Sequence, residues 1–372
     1  MMLNELRTQI DEIDLKIKEQ FLERMKIAEK IAESKILTGD KILKPEREVE
    51  VISRLTEGMG EELKLAYSSF LKKLMEVSRT GQYRKMLELG IPFQIDFEEK
   101  TPIFQTVCYQ GLPCSYSEMA TSKIFPEAET NSVNTFDDVF LSIRDGNAEA
   151  GVVPIENTTA GGVYEVYDLL VKYDLYINYS DIVKVDHCLA AVKGAKLEEI
   201  KEVYSHPQAI AQSAEFLKEH NITAKESRNT AVAAKEIADW NDGSKGAICS
   251  KEAAELFGLE ILMEGTNHNK ENATKFVAVS KHLIVKPEHD RIAIVFACPH
   301  RSGSLASVLG IFGDYGVNLT EIHSRPDGKH SWEYLFYVDF TGNLKDDRIR
   351  ALFYQLNEEL PYVKIIGSYQ SN

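Results

Sequence analysis

The stretch Gly151-Val152-Val153-Pro154-Ile155-Glu156-Asn157-Thr158-Thr159-Ala160-Gly161-Gly162-Val163 decides how the rest of the chain is read. A short apolar strand, Ala150 to Val153, leads into it. Pro154 is expected to stop that strand, because proline has no N–H for the ladder. Glu156, Asn157, Thr158 and Thr159 then place four hydrogen-bonding side chains together, and two glycines follow. Glycine lets backbone approach a ligand and leaves amide N–H groups pointing at it. Val163 to Val171 has the spacing of an amphipathic helix, so the polar cluster stands where a strand hands over to a helix. Open α/β sheets bind ligands at such carboxyl strand ends. An ordinary capped turn would carry the same residue types.

The stretch resembles the V-P-I-E-N-S-x-x-G-x-V signature of prephenate dehydratases, with Thr158 in place of the serine. Companion motifs occur in order. Gln110-Gly111-Leu112-Pro113-Cys114-Ser115-Tyr116-Ser117 resembles the family's first loop, G-x-x-G-[TA]-[FY]-S. Cys114 replaces its second glycine, so the loop is expected to bend differently. Ser205-His206-Pro207-Gln208-Ala209 resembles S-H-P-Q-A. There His206 either serves acid–base chemistry or caps the helix that Pro207 starts, and Gln208 is the better candidate for substrate contact. Asn272-Ala273-Thr274-Lys275-Phe276 resembles the T-R-F motif, with Lys275 for arginine, a change that keeps the charge and loses the bidentate fork. The resemblance implies a two-lobed α/β, periplasmic-binding-protein-like domain over residues 104–282. In it Thr274 is catalytic, and Glu156, Asn157, Thr158, Gln208, Lys275 and Phe276 bind substrate. Alternating strands and helices, with polar strand-to-helix turns at Ser205, Asn229 and Ser250, independently predict a mostly parallel sheet and a cleft.

Upstream, residues 3–37 contain no proline or glycine and predict one helix about 50 Å long. Leu6, Ile10, Ile13, Ile17, Ile27 and Ile31 form a heptad-like stripe, and Arg24 falls on it. Lys35 shares the face of Arg24, whereas Arg7 lies off it and would serve a different pocket. A cation on a buried seam is costly without an anion, and no acid of this helix shares the stripe. Pro45 opens a second helix, Gly58 and Gly60 break it, and Glu61 to Leu89 continues as a third, with Ser78 and Gln82 stacked four apart. A coiled-coil dimerisation module is the plainer reading. The pattern resembles the all-helical chorismate mutase domain, over residues 1–88. That implies catalytic Arg24, Lys35, Arg47, Glu48 and Gln82, with Arg7 and Ser78 binding substrate and Arg7 reaching a partner's site. Lys44 stands where many relatives carry an acid.

Downstream, residues 290–369 spell strand, helix, strand, strand, helix, strand, the ferredoxin-like order, with the third strand placed at Trp332 to Phe340. Arg301-Ser302-Gly303-Ser304-Leu305 and His323-Ser324-Arg325-Pro326 resemble the effector motifs of ACT domains, with His323 replacing a glutamate. The resemblance implies an α+β ACT domain binding a free amino acid through Gly303, Ser304, Leu305, Asn318, Leu319, His323, Ser324, Arg325 and Pro326. A pure dimerisation domain is the alternative.

At 372 residues the chain has room for two or three domains. No apolar run approaches the ~20 residues that span a bilayer, and the amino terminus lacks an apolar signal core. Five scattered cysteines read as reduced thiols of a cytoplasmic protein, without metal spacing. The formal charge of −15 speaks against nucleic acid, and the first 90 residues, with 17 basic and 17 acidic side chains, are the friendlier approach for anions. Together the motifs resemble a bifunctional chorismate mutase–prephenate dehydratase with a regulatory domain. This implies chorismate and prephenate as substrates, phenylalanine as effector, no cofactor or metal, and a homodimer or larger assembly. Arogenate as the dehydratase substrate and a two-lobed anion receptor remain the other readings.

Overall fold

The computed structural model describes residues 3–100, 102–326 and 334–371. Three helices come first: α1 Leu3–Thr38, α2 Pro45–Leu55 and α3 Glu61–Glu88. Gly39 ends α1 in a left-handed conformation (φ 69°), which glycine adopts without Cβ strain. Pro45 opens α2 where its missing N–H is no loss. Only Ala28 and Ala32 of α1 are buried, and Leu6, Ile10, Ile13, Ile17, Ile27 and Ile31 are all exposed in the single chain.

The middle of the chain forms two α/β lobes. The first holds β1 Thr106–Gln110, α4 Tyr116–Ile124, β2 Glu129–Val133, α5 Phe136–Asp145, β3 Ala150–Asn157, β4 Gly161–Gly162, α6 Tyr164–Tyr173 and β5 Tyr176–Lys184. The second holds β6 Cys188–Ala191, β7 Glu202–Ser205, α7 Pro207–Gln212, α8 Ala214–Glu219, β8 Thr223–Glu226, α9 Thr230–Trp240, β9 Lys245–Cys249, α10 Lys251–Leu256 and β10 Glu260–Glu264. Then β11 Ala273–Ser280 returns to the first lobe, between β3 and β5. The second sheet runs β10-β6-β9-β7-β8. Parallel pairing is confined to β1 with β2 and β3, and β7 with β8 and β9 within these lobes. β11 is antiparallel to both neighbours, and β6 and β10 are antiparallel too. The sheets are therefore mixed, because a chain that crosses between lobes and comes back must run its return strand the other way.

Three local expectations are corrected here. Pro154 does not stop β3, which continues to Asn157. It lies beyond the β1 pairing, and on the β11 side the ladder shifts register between Lys275 and Phe276, opposite Glu156 and Pro154, so Ile155 bulges out. The glycines do not present amides to a ligand, since Gly161 and Gly162 fold back on Asn157 and Glu156 as β4. The Thr159 and Ala160 amides donate to Asn157 Oδ1. Cys114 takes up the left-handed turn itself (φ 61°), so the loop bends as a glycine would, at a steric cost of about 1–2 kcal/mol.

The last segment contributes β12 Arg291–Ala297, α11 Ser304–Asp314, β13 Leu319–Pro326, β14 Tyr334–Thr341, α12 Asp347–Glu359 and β15 Tyr362–Tyr369. Trp332, where the third strand of this segment was expected to start, lies outside the described residues. The chain divides into two compact units. One joins residues 1–96 to 294–364, and the other joins 97–293 to 365–372. In the first unit α3 packs on α11 and α12. Lys73 reaches Asp314 at 2.7 Å, Thr80 donates to Gln355 at 3.1 Å, and the Tyr83 and Tyr354 rings meet edge to face at 5.3 Å. In the second, the tail of β15 lies beside β5, with Gly367 opposite Ile177.

Candidate active sites

The chain passes between the two α/β lobes twice, before β6 and after β10, and a cleft of about 160 Å³ opens over these crossings. Its lining includes Ser115, Asn157, His187, Gln208, Gln212 and Thr274. Thr274 and Asn157 are partners across β11 and β3. The Asn157 amide donates to Thr274 Oγ1 at 2.9 Å, to Asn272 Oδ1 at 2.9 Å and to the Ala273 carbonyl at 3.1 Å. From the second lobe, Gln208 Nε2 donates to Asn157 Oδ1 at 3.3 Å. Thr274 itself lines the cleft. His206 accepts from the Gln208 backbone at 3.2 Å as the N-cap of α7, and Asn229 accepts from Val232 at 2.7 Å as that of α9.

The other expected dehydratase residues lie elsewhere. Thr158 Oγ1 accepts from the Ala273 amide at 3.0 Å and so clasps the start of β11. Lys275 points away to the Tyr369 hydroxyl, 3.1 Å off. Phe276 is buried among Val107, Ala120, Ala150, Val152 and Ala278, in the core of the first lobe. Glu156 sits on β3 opposite Lys275 rather than beside Thr274.

Sequence reasoning missed His187, Gln212 and Tyr116. His187 is held with Nε2 3.1 Å from Gln212 Oε1 and Nδ1 3.2 Å from the Tyr116 hydroxyl, which donates to the Asp186 carbonyl at 3.0 Å. Gln212 follows Gln208 by one helical turn on α7, a spacing that could have found it. Burial pushes His187 down to about 4, so the ring is neutral at pH 7. An unfolded histidine near 6.5 binds its proton first, so stability is whole above pH 6.5 and falls as pH drops towards 4. The contribution lost by pH 4.5 is about 2–3 kcal/mol. Burial pushes His289 down to about 4 as well, in the same direction. Thermal unfolding at pH 7.5 and 4.5 is expected to show a shallower acid loss in His187→Gln, and equal slopes would overturn this assignment.

In the helical segment, Arg24 donates to Ser78 Oγ and to the Leu74 carbonyl (3.3 Å), across from α1 to α3. Lys35 donates to the Ile42 carbonyl at 2.7 Å. Gln82 Nε2 donates to the Ser78 carbonyl at 3.3 Å, while its buried Oε1 has no partner among the described residues. Burial lowers the basicity of Arg24 and Lys35, and the charge of Glu48 offsets this in part. Lys44, itself paired with Asp40 at 2.9 Å, adds repulsion on Lys35. Arg47 turns outward to Glu50 at 2.6 Å, and Arg7 is exposed near the start of α1.

At the expected effector turn, Gly303 caps α11 with φ 81°, and Gly303, Ser304 and Leu305 line a cavity of about 350 Å³ with His300 and Phe336. Asn318 and Leu319 stand at the start of β13, and His323 to Pro326 lie along it, with Ser324 opposite Phe336. The lining of that cavity does not include them.

Family models described as Chorismate mutase type II, Prephenate dehydratase and ACT domain match residues 6–83, 107–283 and 292–357. The bifunctional chorismate mutase/prephenate dehydratase of Buchnera aphidicola subsp. Acyrthosiphon pisum is 30% identical over 373 residues, 98% of this chain and 95% of its own. The chain belongs to the bifunctional chorismate mutase/prephenate dehydratase family. Arogenate dehydratase/prephenate dehydratase 1, chloroplastic, of Arabidopsis thaliana is 34% identical over 280 residues, 71% of either chain. Among solved structures, the prephenate dehydratase from Arthrobacter aurescens in complex with L-Phe superposes with a TM-score of 0.67 at 28% identity, over 72% of this chain and 90% of that one. As a member of this family the chain is an isomerase and a carbon–oxygen lyase.

Proposed function

We propose that residues 1–88 rearrange chorismate to prephenate, residues 104–282 convert prephenate to phenylpyruvate, and residues 290–369 return a phenylalanine signal. The first reaction is pericyclic and needs no nucleophile. Arg24 and Lys35 hold the substrate carboxylates and the ether-oxygen charge, and Gln82 Oε1 and Glu48 supply the remaining polar contacts. Arg7 stands 17 residues, about 25 Å, before Arg24 along α1 and cannot share its site. It serves a second copy, which also covers the exposed stripe of α1. The working state is therefore a homodimer or larger, and the five thiols suit the reducing cytoplasm.

The second reaction expels water and carbon dioxide together as the ring becomes aromatic. It requires only that the departing hydroxyl receive a proton while the ring carboxylate leaves. The observation that carries this reading is Thr274, which lines the cleft with its hydroxyl oxygen engaged by the Asn157 amide. Incubation with chorismate is expected to yield phenylpyruvate, read by its absorbance in alkali, and no product from chorismate or supplied prephenate would overturn the reading. Phenylalanine formed from supplied arogenate would identify that substrate instead.

Regulation rests on the Gly303 turn, whose amides and helix start favour a carboxylate. Calorimetry with phenylalanine from low micromolar to millimolar is expected to give saturable heat. No heat across that range would leave the segment an assembly domain.

A further inference from the structure

Arg79 follows Ser78 on α3 and is explained by neither the mutase motif nor the helix stripe. Its Nε and NH2 donate to the two oxygens of Glu359 at 2.7 and 3.2 Å, and its NH1 donates to Glu48 Oε1. Glu48 belongs to α2, among the mutase residues, and Glu359 ends α12 of the C-terminal segment. Gln355 Nε2 donates to Glu359 Oε1 at 3.1 Å, and Gln355 Oε1 accepts from Thr80 on α3 at 3.1 Å. The side chains of Arg79 and Glu359 are 12% and 7% exposed, so both charges are largely withheld from water. A guanidinium is a rigid planar fork. Once Glu359 has taken one edge, the direction of the remaining N–H bonds is set, and Glu48 lies along it. Glu48, Arg79 and Glu359 also line one cavity of about 360 Å³ together with Gly303 and Ser304.

We propose that Arg79 is a positioning residue of the mutase reaction, fixing the Glu48 carboxylate in an orientation that Glu359 of the C-terminal segment sets. The inference rests on the reading that Glu48 takes part in that reaction. A structural ion pair alone would hold α3 to α12 and leave the chemistry of a folded enzyme unchanged. Positioning instead lowers kcat, because a carboxylate slightly out of place binds the ground state nearly as well and the transition state worse.

The test uses the full chain with Arg79→Lys, Glu359→Gln and Glu48→Gln, alone and combined, and thermal unfolding followed by far-UV circular dichroism reports folding. Arg79→Lys keeps a charge but cannot reach both acids, and is expected to lower mutase kcat about 10–50-fold with KM within about threefold. Glu359→Gln, far along the sequence from the mutase motif, is expected to lower it about 3–10-fold. In the Glu48→Gln background, Arg79→Lys should cost less than about twofold more, because its effect passes through Glu48. The same fold-loss in both backgrounds, or Arg79→Lys within about twofold of the parent, would overturn the proposal. Glu48→Gln at the parental rate would instead overturn the reading of Glu48, and the proposal with it. Should Arg79→Lys fail to fold, Glu359→Gln alone and in the Glu48→Gln background decides by the same comparison.

Discussion

Replacing Arg24 by alanine is expected to abolish the mutase while supplied prephenate is still turned over at close to the parental rate. Arg24 is half-buried, held by Ser78 Oγ and the Leu74 carbonyl, and its basicity is already lowered by burial. A cation so placed is oriented before substrate arrives, and losing one charge-assisted contact costs about 3–5 kcal/mol of transition-state binding. That corresponds to about two to four decades of rate. Ser78 keeps its own bond to the Leu74 carbonyl at 2.9 Å, so α3 should survive the change. Arg24 and Thr274 belong to different compact units, which is why the second activity should be spared. Measuring both rates on one preparation checks this. Equal loss of both, with the fold retained, would sink the assignment of separate sites.

Thr274→Val should lose about 10²–10⁴ of dehydratase rate, and Thr274→Ser should keep measurable activity, because in the proposed reaction the hydroxyl assists proton transfer. Valine fills the same volume. The Asn157 amide keeps its bonds to Asn272 and Ala273, so the cleft is not left with an orphaned donor. Stability should therefore change by no more than about 1 kcal/mol, separating chemistry from folding. A valine variant within a few-fold of the parent would reduce Thr274 to strand packing. Steady-state rates on prephenate, with melting temperatures alongside, decide it.

The order of segments and most element boundaries were legible, because periodicity, caps and breakers are local. Arg24 stood out as a cation on an apolar stripe, but its partners, Ser78 Oγ and the Leu74 carbonyl, lie on another helix and no spacing rule names them. Phe276 was not legible, although it follows Thr274 by two residues: the motif placed it near substrate, whereas the strand runs from the cleft edge into the first lobe's core. Arg79 was invisible for another reason. Its meaning depends on Glu359, 280 residues away, and no spacing rule connects them. His187 was passed over because a single histidine before a strand has no periodic signal, and its neutrality comes from burial between elements far apart in sequence.

The bulge at Ile155 has a consequence for how this chain can vary. Beyond it, Phe276 faces Pro154 and Val277 faces Val153; on the near side, Thr274 faces Asn157 and Lys275 faces Glu156. Continuing the far register through Ile155, with no bulge, would set Lys275 opposite Ile155 and Thr274 opposite Glu156. A hydroxyl beside a carboxylate would give up its hydrogen to that neighbour, and the added negative charge would repel an incoming dianion. Deleting Ile155 would leave Thr274 opposite Asn157, whereas one residue inserted beside it and taken into the ladder would bring Glu156 opposite Thr274 and exchange an amide for an acid there. Over generations, insertions at this point should be guarded against more closely than deletions.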